Sequence, residues 1–221
     1  MANFPIFMLR VYKELFSERL AYRYRVTDEA GEVRYIVEPT GLFLPNPSRL
    51  ITLFDADHRP VGRIDPPETS YWSLGGTYRV FLEGQEKPAL VVTEQWEMVD
   101  LLLLRLPRYV FTWENARYIA RGSQYGERYY EIFLYPSESE LRPMEGVEEG
   151  APVAISPVDL DVGPLQEIAE QEAGRWGEAV GAILRPIRGP NYLVEGKAGL
   201  ATAYLPLTVL VVLADVHRME S

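Results

Sequence analysis

The chain has 221 residues, a formal charge of -10 from 32 acidic and 22 basic side chains, 47% apolar residues and no cysteine. Disulfides, thiolate nucleophiles and cysteine-held zinc or iron–sulfur centres are thereby excluded, and the negative field opposes non-specific contact with nucleic acid or anionic head groups. That apolar share beside 24% charged residues belongs to a folded, water-soluble protein of a length that suits one all-β domain.

The opening Met-Ala-Asn-Phe-Pro-Ile-Phe-Met-Leu carries no basic region ahead of its short apolar run and no small-residue cleavage site after it. No secretory leader is expected, and the expected location is cytoplasmic. Lysine occurs only at Lys13, Lys87 and Lys197, which points to the codon bias of a GC-rich bacterium.

From Ala21 to Leu134 the chain reads as short β-branched and aromatic segments separated by turn chemistry, the spacing of a meander. Tyr22–Thr27 and Val33–Val37 flank Asp28-Glu29-Ala30-Gly31, where Asp enters the turn and Gly supplies a positive φ. Leu50–Phe54 and Val61–Ile64 flank Asp55–Pro60 in the same way, followed by a break at Pro66-Pro67. Further strands are expected at Thr77–Leu82, Ala89–Trp96, Leu101–Leu106, Tyr109–Trp113, Ala116–Ala120 and Arg128–Leu134. Most alternate polar and apolar side chains, as a sheet with one wet face does.

Between Tyr135 and Gly150 the composition shifts to Pro, Ser and Glu, with Glu138, Glu140, Glu145, Glu148 and Glu149 crowded together, which reads as a solvated loop or insertion. Leu165, Ile168, Ala169 and Ala173 then give one apolar stripe with helical spacing, so a short surface helix is expected between Asp159 and Trp176. Strands resume at Gly177–Pro186 and Tyr192–Glu195.

Leu200 to Val216 has no polar face before Asp215, so protein or lipid must surround it. Its uninterrupted apolar run of about 15 residues falls short of the roughly 20 that a spanning helix needs. It also lacks flanking basic anchors, and a buried core element is expected. Pro206 suits a first helical turn, and a helix from Pro206 to His217 would be roughly 18 Å long, enough for the axis of a β barrel.

The early hairpin at Asp28 and Gly31, the Leu50–Asp55 strand and turn, Tyr118-Ile119-Ala120-Arg121-Gly122, Gly177-Glu178-Ala179-Val180-Gly181, Asn191-Tyr192-Leu193-Val194 and the terminal Leu200–Asp215 segment occur in an order with a known counterpart. Over roughly Leu20 to His217 the chain resembles the tubby C-terminal-like superfold, specifically the LURP-one-related family with its phospholipid scramblase relatives. The resemblance implies a closed antiparallel barrel of about twelve strands around a buried apolar C-terminal helix, with no exposed sheet edges. The expected organisation is a single tubby-like β-barrel domain over 1–221, with a loop/helix insertion at 136–176 and the central helix at 200–217. The sequence departs from that family in its acidic insertion and in offering no lysine/arginine pocket of the phosphoinositide type.

Arg105, Arg108, Arg117, Arg121 and Arg128 form one basic stretch in an acidic protein, and neighbouring strands can gather several into an anion or lipid-head-group site. The alternative is dispersed arginines, each paired with a local carboxylate. His58 follows Asp55 and Asp57, which offers ligand atoms for a metal, yet the segment is most economically a hairpin turn. His217 sits where a cation favours a helix C-terminus. Asp159, Asp161 and the Glu138–Glu149 run lack the ligand alternation of a calcium loop and read as a solvated face. Trp72, Trp96, Trp113 and Trp176 can line a ligand groove or simply pack strands.

Phosphate-binding glycine loops and nucleophile elbows are missing from the sequence, and no catalytic residue, metal or cofactor is expected. The leading expectation is a non-enzymatic binding or scaffold protein whose partner is another protein or a small apolar or lipid ligand. A peripheral phospholipid-binding or scramblase-like protein with transient membrane contact is the second reading. An enzyme with a strand-borne carboxylate/arginine site is the third.

Overall fold

The computed structural model describes residues 7–16, 21–40, 50–69, 75–96, 106–122, 128–135 and 179–220. Thirteen strands run in chain order: β1 Phe7–Phe16, β2 Ala21–Thr27, β3 Val33–Thr40, β4 Leu50–Phe54, β5 Pro60–Ile64, β6 Glu68–Thr69, β7 Gly76–Leu82, β8 Leu90–Gln95, β9 Arg108–Trp113, β10 Ala116–Gly122, β11 Arg128–Leu134, β12 Gly181–Leu184 and β13 Tyr192–Gly196. A 3-10 turn at Ala198–Leu200 leads into the helix α1, Tyr204–Glu220.

β1 to β5 and β6 to β13 each pair antiparallel in succession, β1 also pairs with β13, and β5 pairs with β7 through Gly62↔Leu82, Arg63↔Phe81 and Ile64↔Val80. The result is a closed antiparallel barrel of 12 strands, with the short β6 continuing beside β7 after the Pro66-Pro67 break. The closed barrel and the C-terminal helix, the one α-helix among the described residues, agree with the architecture that the family resemblance implies.

The side-chain alternation decides which face closes inward. Along β8, Leu90 and Val92 are buried while Val91 between them is exposed, and Leu9, Val11, Tyr24, Val26, Leu53 and Val80 point the same way into the interior. That interior is filled by α1, whose Leu207, Val209, Leu210, Val211 and Val212 are wholly buried. A helix of 17 residues spans roughly 25 Å, and each fully buried Val or Leu contributes about 1.5–3 kcal/mol, so the apolar ring and the apolar rod stabilise one another. Pro206 lies in the first turn, where its missing N–H leaves no helical bond unmade.

Leu200 seats the entry to the helix. It packs on the facing pair Gly181↔Gly196, where an added Cβ would stand 2.7 Å and 3.0 Å from Leu200 Cδ1. Phe7 and Tyr204 meet edge-to-face at 5.3 Å, and Arg34, held by Asp28 at 2.6 Å, lies over the Tyr204 ring.

The sequence pattern missed two strands. β1 begins inside the stretch weighed as a leader, although Phe7, Leu9 and Val11 are buried on alternate positions. β6 is two residues long, too short to carry a pattern. The expected strand at Leu101–Leu106 falls outside the described residues except Leu106, which is not in a strand, and the 136–176 insertion with its surface helix lies wholly outside them.

Candidate functional site

Two places in the barrel gather polar chemistry. The first lies inside, toward the C-terminal part of α1. Asp215 is 3% exposed, and its carboxylate accepts hydrogen bonds from Lys13 Nζ at 2.6 Å, from the Tyr24 hydroxyl at 2.7 Å and from the Tyr192 hydroxyl. Lys13 reaches in from β1, Tyr24 from β2 and Tyr192 from β13, three adjacent strands whose inward positions the pleat aligns. Burying a carboxylate is costly, and the Lys13 ammonium offsets that cost.

Burial alone pushes the Asp215 carboxyl up, but the hydrogen bonds from Lys13, Tyr192 and Tyr24 outweigh it and hold the group below the ordinary carboxylate value. Burial, and then the adjacent Asp215, push the Tyr24 and Tyr192 phenols upward, so both stay protonated as donors. Tyr129 adds a hydrogen bond from its hydroxyl to the Ala214 carbonyl at 2.9 Å. It can do so because the β11–β12 register shifts between Arg128 and Tyr130, a bulge that leaves both Tyr129 and Tyr130 in the interior.

From there a tyrosine layer crosses the barrel. The Tyr129 ring is tilted against Tyr192 at 5.7 Å and meets Tyr130 edge-to-face at 5.0 Å, and Tyr130 lies 5.8 Å from Tyr109. At its far side Glu94, 8% exposed on β8, accepts from Trp96 Nε1 at 2.9 Å and from the Tyr78 hydroxyl at 3.2 Å. Among the described residues the Tyr109 and Tyr130 hydroxyls are buried near each other with no partner in full hydrogen-bond geometry, and burial pushes both phenols far up.

The second place is a groove of about 540 Å³ on the outside of the seam where β4, β5 and β7 meet. Leu50, Pro60, Phe81 and Leu82 supply apolar surface, and Thr52, Arg63, Glu83 and Glu86 supply polar groups. Arg63 is fixed by its Nε on Asp65 at 2.8 Å and by the Phe81 ring, 4.8 Å below its guanidinium. Gly62 keeps the floor low, since a Cβ there would come within 2.6 Å of the Phe81 carbonyl oxygen.

The basic stretch is distributed over β9 and β10. Arg108 is fully buried, Arg117 is exposed with its guanidinium 4.1 Å from the Tyr135 ring, and Arg121 is half-buried opposite Glu131 on β11. The register that pairs Ala120 with Tyr109 carries Arg121 to the position beside Arg108 on the outer face. Arg117 and Arg121 stand four residues apart on β10, about 13 Å along a strand. Between them lies Ile119, part of a second apolar cluster with Val110 and Phe133. Arg105 lies outside the described residues, as does the Arg128 side chain.

His58 occupies a turn. Asp55 Oδ1 accepts the Asp57 and Arg59 amides at 2.9 Å, His58 has φ 61°, and its ring stacks on Phe54 at 4.4 Å. Among the described residues no three His, Asp or Glu side chains converge as a metal cage. Trp96 and Trp113 belong to strand ends and packing, whereas Trp72, Trp176, Asp159, Asp161, the Glu138–Glu149 run and the His217 side chain lie outside the described residues.

Sequence reasoning missed the Asp215 anchor and the groove. The available signal for the anchor was a lone acid ending an otherwise apolar run, in a chain with few lysines. No protein-family model, curated protein or solved structure matches the chain. Among the described residues no helix is long and apolar enough to cross a membrane.

Proposed function

We propose that the chain is a non-enzymatic binding protein, a tubby-like barrel whose outer groove over β4, β5 and β7 takes a small amphiphilic ligand. The observation that carries this reading is the division of labour between the two polar sites. Inside, the Asp215 carboxylate is closed off from solvent and held by three donors, and its pKa is depressed, the opposite of what a general acid needs. Outside, the groove has the volume of an ordinary small-ligand site, an apolar floor and one guanidinium locked in orientation by Asp65 and Phe81.

The test is an amide-detected NMR titration of the full chain with phenylacetate, phenethylamine and hexanol. Saturable shifts of Gly62, Arg63, Leu82 and Gly84 are expected for at least one of them. Shifts centred on Lys13, Tyr24 and Asp215 would overturn the reading, as would the absence of groove shifts with these probes and with a dipeptide alike.

A further inference from the structure

We propose that the ligand of this groove is a zwitterion of the amino-acid type, a short peptide with free ends and apolar side chains. The inference rests on the groove being the ligand site and adds the chemical class. A guanidinium has five N–H donors in a planar fork, and Arg63 commits only its Nε, to Asp65. The Nη donors have no hydrogen-bond acceptor among the described residues, while the Phe81 ring below keeps the fork from turning away. Such a fork matches the two oxygens of a carboxylate.

Glu83 and Glu86 line the same groove, and neither carboxylate has an ion-pair partner among the described residues. Both follow Leu82 around the turn that closes β7, where Gly84 takes φ 75° and the Gln85 amide donates to the Leu82 carbonyl at 3.1 Å. That turn ties the acidic rim to the apolar floor.

The charges then select the ligand. A simple anion gains the Arg63 fork but meets two unpaired carboxylates, and Asp65 has already offset part of the guanidinium charge. A simple cation gains the carboxylates and covers the Nη donors without accepting from them. A molecule with a carboxylate at one end, an ammonium at the other and apolar side chains between them satisfies both, with Leu50, Pro60 and Phe81 under its middle. A dipeptide suits the volume of about 540 Å³ better than a single amino acid, which would leave much of the apolar floor wet.

The experiment titrates the full chain with leucyl-phenylalanine, its N-acetyl form, its C-terminal amide and the doubly capped form, read by the amide signals of Arg63 and of Phe81 to Glu86. Each single cap is expected to weaken binding at least threefold. Arg63→Gln should abolish the penalty of amidation, and the double variant Glu83→Gln/Glu86→Gln should abolish the penalty of acetylation; all three side chains are on the surface, so these proteins keep their fold. If the doubly capped peptide shifts the groove signals as tightly as the free one, the zwitterion assignment is overturned and the groove remains a site for neutral amphiphiles. If no peptide and no simple amphiphile shifts them, the groove reading falls as well.

Discussion

Asp215→Asn isolates the charge of the internal anchor with little change in shape. In the native protein Lys13 Nζ lies 2.6 Å from Oδ2, and the two side chains keep only 15% and 5% exposure. Losing one partner of a buried ion pair costs about 3–5 kcal/mol, and the slight exposure of Lys13 lets its ammonium gain some water, which points to the lower end, about 3 kcal/mol. Asparagine also offers one acceptor oxygen where the carboxylate offers two. Tyr192 donates to Oδ1 and Tyr24 to Oδ2, so one tyrosine loses its partner and adds about 1 kcal/mol. A total loss of about 4 kcal/mol is expected in urea unfolding followed by tryptophan fluorescence at neutral pH. In a cycle with Lys13→Met, the double variant should lose at least about 2 kcal/mol less than the sum of the single losses. The pH dependence has a definite sign. Because the folded carboxyl titrates below its ordinary value of 3.8, the Asp215 contribution is complete above that value and is lost as pH falls through the folded pKa. The gap between native and variant should therefore narrow only in strong acid. A variant within about 1 kcal/mol of the native protein, or single losses that simply add, would refute the anchor.

Two further perturbations probe the interior. Tyr130→Phe removes a buried hydroxyl that has no partner in full hydrogen-bond geometry among the described residues, so stability should rise by about 1 kcal/mol in the same unfolding assay; an equal fall would mean that the hydroxyl is paired in solution, with Tyr109 the nearest candidate. Gly181→Ala forces a methyl to 2.7 Å from Leu200 Cδ1 and 2.9 Å from the Glu195 carbonyl oxygen, and thermal unfolding should report a loss of about 1–3 kcal/mol. An unchanged melting temperature would show that the Leu200 contact yields freely.

Local chemistry was legible and long-range chemistry was not. The Asp28–Gly31 turn followed from its residues, and the structure bears it out with the Gly31 amide on the Asp28 carbonyl at 3.1 Å and φ 84° at Gly31. The burial of the terminal segment followed as well, since a stretch with no polar face must be covered, whereas its Val-rich run suited helix and strand alike and only Pro206 favoured the helix that is observed. β1 was obscured because Arg10, Tyr12 and Lys13 dilute an alternation that becomes clear only once Phe7, Leu9 and Val11 are seen to share a face. The anchor joins residues 202 apart in sequence, and nothing near Lys13 or Asp215 names the other. The groove requires β5 to lie beside β7, a closure that alternation within either strand does not specify.

The order of the elements along the chain also bears on how the molecule is made. β1 has β2 and β13 as its neighbours, and α1 follows β13, so the ring can neither close nor fill until the end of this segment has left the ribosome. Until then the inner faces of the strands already synthesised have no rod to rest on, and the free margin of β1 is open to pairing with other chains. Closure of the ring thus waits for β13 and α1, and the partly synthesised barrel, rather than the finished one, is the form most exposed to pairing with other chains.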